Sequence, residues 1–167
     1  MGGWPNRTIQ GVTYTFDHLS PFTMEVTPKA EGAKTYSLLV DFHLHTFARE
    51  WRHTDTPDYR FAEGKDIRCL CTERYGMSLS LPEMIRASTK AYFSQKHNYM
   101  VFRPVPDHAP YAAFFSMQRA KNQSYDAIMT VVSAYQKGEL PKQSLLKSIG
   151  FATLVAKTAR GEEIRRP

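Results

Sequence analysis

The chain has 167 residues, 42% apolar and 13% aromatic, and carries 22 Lys plus Arg against 16 Asp plus Glu, a net charge of +6. That composition excludes wholesale disorder, and a chain this long buries about 70% of its unfolded surface, enough for one domain that needs no metal or disulfide to fold. No apolar run approaches the roughly 18 residues of a membrane span. The opening Met1-Gly2-Gly3-Trp4-Pro5-Asn6-Arg7 lacks the apolar stretch of a signal peptide, so residues 1–10 read as a flexible lead. Cys69 and Cys71 stand too close for an ordinary disulfide, and that spacing points to a reducing cytoplasm.

In chain order the pattern reads mostly as strand. Val12 to Phe16 and Phe22 to Val26 flank a turn at Ser20-Pro21. Tyr36 to Phe47 alternates as one long strand, with Asp41, His43 and His45 on one face and Val40, Phe42 and Leu44 on the other. Residues 52–66 form a polar loop without clear period. Pro82 to Lys90 predicts a short helix, with proline in its first turn and Glu83 near its positive end. Ala91 to Gln95 and Tyr99 to Phe102 then flank a tight turn at His97-Asn98. Tyr111 to Ala120 and Asp126 to Tyr135 flank the polar loop Lys121 to Tyr125, which sets Tyr111 opposite Tyr135 and Ala113 opposite Ser133. A linker with Gly138 and Pro141 follows, and Ile149 to Thr158 is a last strand or a helix. Residues 162–167 read as a flexible end. The expected fold is α+β: an antiparallel β-sheet with one or two packed helices in a single domain spanning residues 1–167.

Charge is unevenly placed. Residues 1–85 hold 9 basic and 11 acidic residues, and residues 86–167 hold 13 and 5, so the second half carries +8. Such asymmetry points to RNA or another polyanion as partner, against the plainer alternative of a solvated surface. In the 92–103 hairpin, Tyr92, Ser94, Lys96, Tyr99, Val101 and Arg103 are expected on one face and Phe93, Met100 and Phe102 on the other. Tyrosines interleaved with cations suit a single strand, which needs phosphate neutralisation and stacking. Lys96, Tyr99, Arg103 and Arg119 are therefore the candidate nucleic-acid contacts.

His43-x-His45 with Glu50 resembles the opening ligand set of cupin metal sites, and Cys69 and Cys71 offer further ligands. The remaining cupin pattern is missing, however, and two X-x-X pairs lack zinc-knuckle spacing, so neither a metal nor a cofactor is expected. A metal-free ribonuclease would need a base, an acid and cations for developing phosphorane charge. His97, Ser133 and Lys157 are the residues of suitable type. No P-loop, GxSxG or HExxH motif occurs, which disfavours an ATPase, an α/β-hydrolase or a zincin.

Four stretches carry a resemblance. They are Cys71 to Leu81 (a C-x-x-R-Y-x-x-S-x-x-L pattern), Tyr111 to Phe115, Val132 to Tyr135, and Phe151 to Gly161. Together they resemble a group of plasmid and integrative-element proteins, some labelled stationary-phase growth adaptation proteins. The resemblance spans most of residues 36–161 and implies no activity or catalytic residue. A more distant likeness is to barnase-like and RelE-like ribonuclease toxins, which set a helix before an antiparallel meander, and it concerns the fold alone. The leading expectation is a small basic mobile-element protein that acts on RNA, in the sharpest form a metal-independent endoribonuclease toxin with an antitoxin partner. The alternative is a non-enzymatic inhibitor or adaptor that binds a host or phage protein complex.

Overall fold

The computed structural model describes residues 3–95, 98–121, 124–138 and 147–167. Strands β1 (Arg7–Ile9) and β2 (Val12–Tyr14) pair as a small ribbon. The main layer is a seven-stranded sheet. Its order is β12 (Ser148–Gly150), β8 (Lys90–Phe93), β9 (Tyr99–Val105), β10 (His108–Arg119), β11 (Ala127–Gln136), β4 (Tyr36–Phe42) and β3 (Phe22–Val26). All neighbours in it are antiparallel except β11 and β4. A three-stranded sheet runs β5 (Ala48–Glu50), β7 (Asp66–Leu70), β6 (Arg60–Glu63). The helices among the described residues are α1 (Thr72–Ser78), α2 (Leu81–Arg86) and α3 (Phe151–Arg160). The class is therefore mixed α and β with a sheet rich in antiparallel pairs, and three helices stand where one or two were expected. None of them is long and apolar enough to cross a membrane.

Alternation decides which side of the main sheet is covered. Leu38, Val40 and Phe42 of β4, Ala113 and Phe115 of β10, and Met129 and Val131 of β11 point to one buried face. Against that inner face α3 lays Phe151, Leu154 and Val155, a spacing that suits one helical stripe, and Phe151 meets Phe115 at 6.3 Å between ring centroids. The helix is the correct alternative for this segment. Its β-branched residues favour a strand, but Gly161 in the left-handed conformation (φ 71°) closes it, and Lys157 and Arg160 sit in its negative last turn. The tail beyond is tied down: Arg166 donates to the carbonyls of Ser94 and Asn98. At the other end, Ile9 of β1 is buried within the stretch expected to be a flexible lead.

Three other expectations change. The long strand from Tyr36 stops at Phe42, because residues 44–46 turn as a 3-10 helix that carries the chain into β5. Residues 57–70, mostly expected as loop, form a 3-10 turn and the β6–β7 hairpin, whose Phe61 is buried. The helix expected to reach Lys90 ends at Arg86, and α1 precedes it. Short elements like these give too few residues for a period to show.

The β10–β11 hairpin shows how one residue resets a register. From Arg119 opposite Ala127 to Phe115 opposite Val131 the pairing is the expected one. A bulge between Phe114 and Phe115 then shifts it, so Tyr111 faces Gln136 and Ala113 faces Ala134. Tyr111 ends fully buried, and its hydroxyl has no hydrogen-bond partner among the described residues. A buried hydroxyl without a partner costs about 1–3 kcal/mol. Tyr111→Phe is accordingly expected to raise the unfolding free energy by about 1 kcal/mol in a denaturant titration. A loss of stability would show that the hydroxyl is engaged.

Candidate nucleic-acid interface

Among the described residues, those nominated from the sequence lie apart. Lys96 and His97 lie outside the described residues. Ser133 sits opposite Phe114 on the outer face of the sheet, where Phe114 stacks on Tyr135 at 5.3 Å. Lys157 belongs to α3 on the inner side and pairs with Glu162 at 3.7 Å. The sheet thus stands between Ser133 and Lys157, and they cannot act on one phosphate. Arg119 is exposed at the far end of β10, beside Gly161. Arg103 pairs with Tyr111, eight residues along that strand from Arg119, or roughly 27 Å away.

Tyr99 departs furthest from its expected role. It is 6% exposed and stacks on Phe115, with ring centroids 5.6 Å apart. The cause is register: β8 and β9 pair Tyr92 with Met100 and Phe93 with Tyr99. Tyr99 and Val101 therefore face inward with Phe93, while Tyr92, Met100 and Phe102 face outward. This reverses the expected sides of Tyr92 and Phe93.

The histidines and cysteines are engaged separately. His43 pairs with Glu63 at 3.6 Å, and His45 bonds to Asp66 at the β6–β7 turn. Burial works against the Asp66 carboxylate, but His45 and Arg68 outweigh it and hold the group below its ordinary range. Arg49 grips Asp55 through two bonds of 2.9 and 2.6 Å, which drives that carboxyl well below the usual carboxylate range. Burial pushes the Cys69 thiol up, away from the thiolate that a metal requires. Among the described residues no group of three His, Cys, Asp or Glu could hold a metal ion.

Cations converge elsewhere, where the curled sheet brings its outermost strands near one another. A cleft of about 490 Å³ is lined by β3 and the residues after it, by the α2–β8 connection, by β12 and by the first turn of α3. Among the described residues Lys29, Arg86 and Lys90 line it with one carboxylate, Glu25, and so do Thr27, Ser88, Thr89, Ser148 and Thr153, the Thr27 hydroxyl bonded to that of Thr35 and the Ser88 hydroxyl donating to the Met84 carbonyl. Arg86 lies over the Phe22 ring at 4.1 Å and reaches Glu83 at 3.0 Å. A second cleft of about 320 Å³ shares Ser88, Thr89 and Lys90 and adds Tyr92, Phe102 and Arg103. The two clefts share these three residues, cations line both, and the Tyr92–Phe102 aromatic pair lines the smaller one. Part of this was legible: Arg86, Lys90 and Tyr92 fall within seven residues, and a helix running to Lys90 would also put Arg86 and Lys90 on one face, but it would not join them to Tyr92 on a strand.

The fold and these clefts define an α and β protein with a basic cleft lined by serine and threonine residues. Residues 6–159 match the YjaZ family, and the chain belongs to that family. No curated protein and no solved structure matches the chain.

Proposed function

We propose that this protein binds RNA, with the two connected clefts as its contact surface. The observation that carries the reading is that Lys29, Arg86, Lys90 and Arg103 line the two clefts, where Glu25 is the one lining carboxylate among the described residues and Arg86 also pairs with Glu83. Several cations on one surface are what a phosphate backbone needs, and neighbouring serine and threonine residues suit a ribose 2′-OH. Of the contacts nominated from the sequence, Arg103 is retained in the cleft. Binding rather than cleavage is the reading supported, because Ser133 and Lys157 lie on opposite sides of the sheet.

The test is fluorescence anisotropy with a short labelled single-stranded RNA across a salt series. Affinity should fall steeply with salt, and changing Arg86, Lys90 and Arg103 together to Gln should flatten the slope by about two units, at about 0.7 per lost phosphate contact. Arg119→Gln, at the far end of β10, should change nothing. DNA of the same sequence should bind more weakly, because it lacks the 2′-OH. Absence of binding at low salt, or full binding by the triple variant, overturns the proposal. The protein-directed reading, an inhibitor or adaptor for a host or phage complex, would then take its place.

A further inference from the structure

The smaller cleft has a shape that cations alone do not explain. Strands β8 and β9 pair only at Tyr92–Met100 and Phe93–Tyr99. Upstream of these, Ala91 and Lys90 have no partner in β9 among the described residues, while their other edge stays paired to Ile149 and Gly150 of β12. The two strands therefore part, and the slot between them is the 320 Å³ cleft. Tyr92 and Phe102 line it as a tilted pair with ring centroids 5.0 Å apart, both half-buried. Lys90 and Arg103 line the same slot, as do the Ser88 and Thr89 side chains.

Half-buried rings in a slot flanked by cations meet both needs of an unpaired nucleotide, a face for the base and charge for the phosphate. We infer that this slot holds an unstacked base against Phe102 and Tyr92, with adjoining phosphates at Lys90 and Arg103, so that the preferred ligand is single-stranded. The inference rests on the RNA-binding reading above. A duplex keeps its bases stacked and paired, so it has no face to offer the slot.

Three probes separate the cases: a short single-stranded RNA, the same chain with abasic sugars, and a duplex of equal length. At one low salt concentration the base-bearing strand should bind about 5- to 150-fold more tightly than the abasic chain, the range for one stacked base. The duplex should bind no better than the abasic chain. Phe102→Leu keeps an apolar side chain on the sheet and should lose most of this preference. Equal binding of abasic and base-bearing chains by the unaltered protein overturns the inference and leaves phosphate recognition standing, and that comparison needs no variant to fold. Undiminished preference in a folded Phe102→Leu protein overturns it too. Failure of all three probes to bind at low salt overturns both readings together.

Discussion

Replacing Tyr99 by Ala is expected to cost about 3–5 kcal/mol of stability, the range for removing a large aromatic side chain from a core. The ring is buried between Phe93 and Phe115, at centroid distances of 5.7 and 5.6 Å, and the Arg166 guanidinium lies over it at 5.5 Å. Domains of this kind are stable by only about 5–15 kcal/mol, so the variant should unfold at markedly lower denaturant or temperature. Tyr99→Phe keeps the stacking area and should stay within about 1 kcal/mol of the unaltered protein. RNA affinity separates this role from a contact role. If Tyr99→Phe and the folded fraction of Tyr99→Ala bind RNA normally, the ring is structural. A stable Tyr99→Ala protein with weakened RNA binding would restore the residue to the interface.

Phe47→Ala should cost a similar amount, about 3–5 kcal/mol. Phe47 is fully buried at the centre of an aromatic cluster, with Trp4, Phe16 and Phe61 at 5.0, 4.6 and 5.1 Å between centroids. Its backbone carbonyl also accepts the N–H of Cys71, which leads into α1. The cluster joins the N-terminal segment, the three-stranded sheet and the helical turn that follows it. Loss of the ring should therefore loosen this layer before the main sheet opens. Trp4 lies in the cluster and, with Trp51 changed to Phe in both proteins, is the one tryptophan left to report it, so its fluorescence should shift at lower denaturant than the far-ultraviolet circular dichroism signal. Coincident transitions at the unaltered midpoint would show that Phe47 contributes little.

The two residues illustrate how a face is chosen. The sequence pattern set Tyr99 among cations and Phe47 at the end of one long strand, but the side that each ring takes depends on pairing and on where a strand stops. A slip of one residue in a strand moves every side chain to the opposite face. In the 92–103 hairpin that parity turned Tyr99 inward and Tyr92 outward. In β10–β11 a bulge changed it midway along the strand. Neither event leaves a mark that one strand's own sequence can show, since register belongs to the pair.

Properties that sum over local composition could be read from the residues alone. These are a chain with enough apolar residues for a core, long antiparallel strands at 111–119 and 127–135, a proline-initiated helix beginning near residue 82, and a basic second half. Alternation and charge are one-dimensional, so they are legible along the chain. Tertiary structure alone decided the rest. It parted Ser133 from Lys157 by placing them on opposite sides of the sheet, and it gave His43 and His45 separate carboxylate partners. It also drew Lys29 from beyond β3 towards Arg86 and Lys90, residues nearly sixty positions later, by curling the sheet. The physical reason is that a site depends on distances across strands and between layers. Those distances are set by register, bulges and sheet curvature, which arise only when segments far apart in the chain pack together.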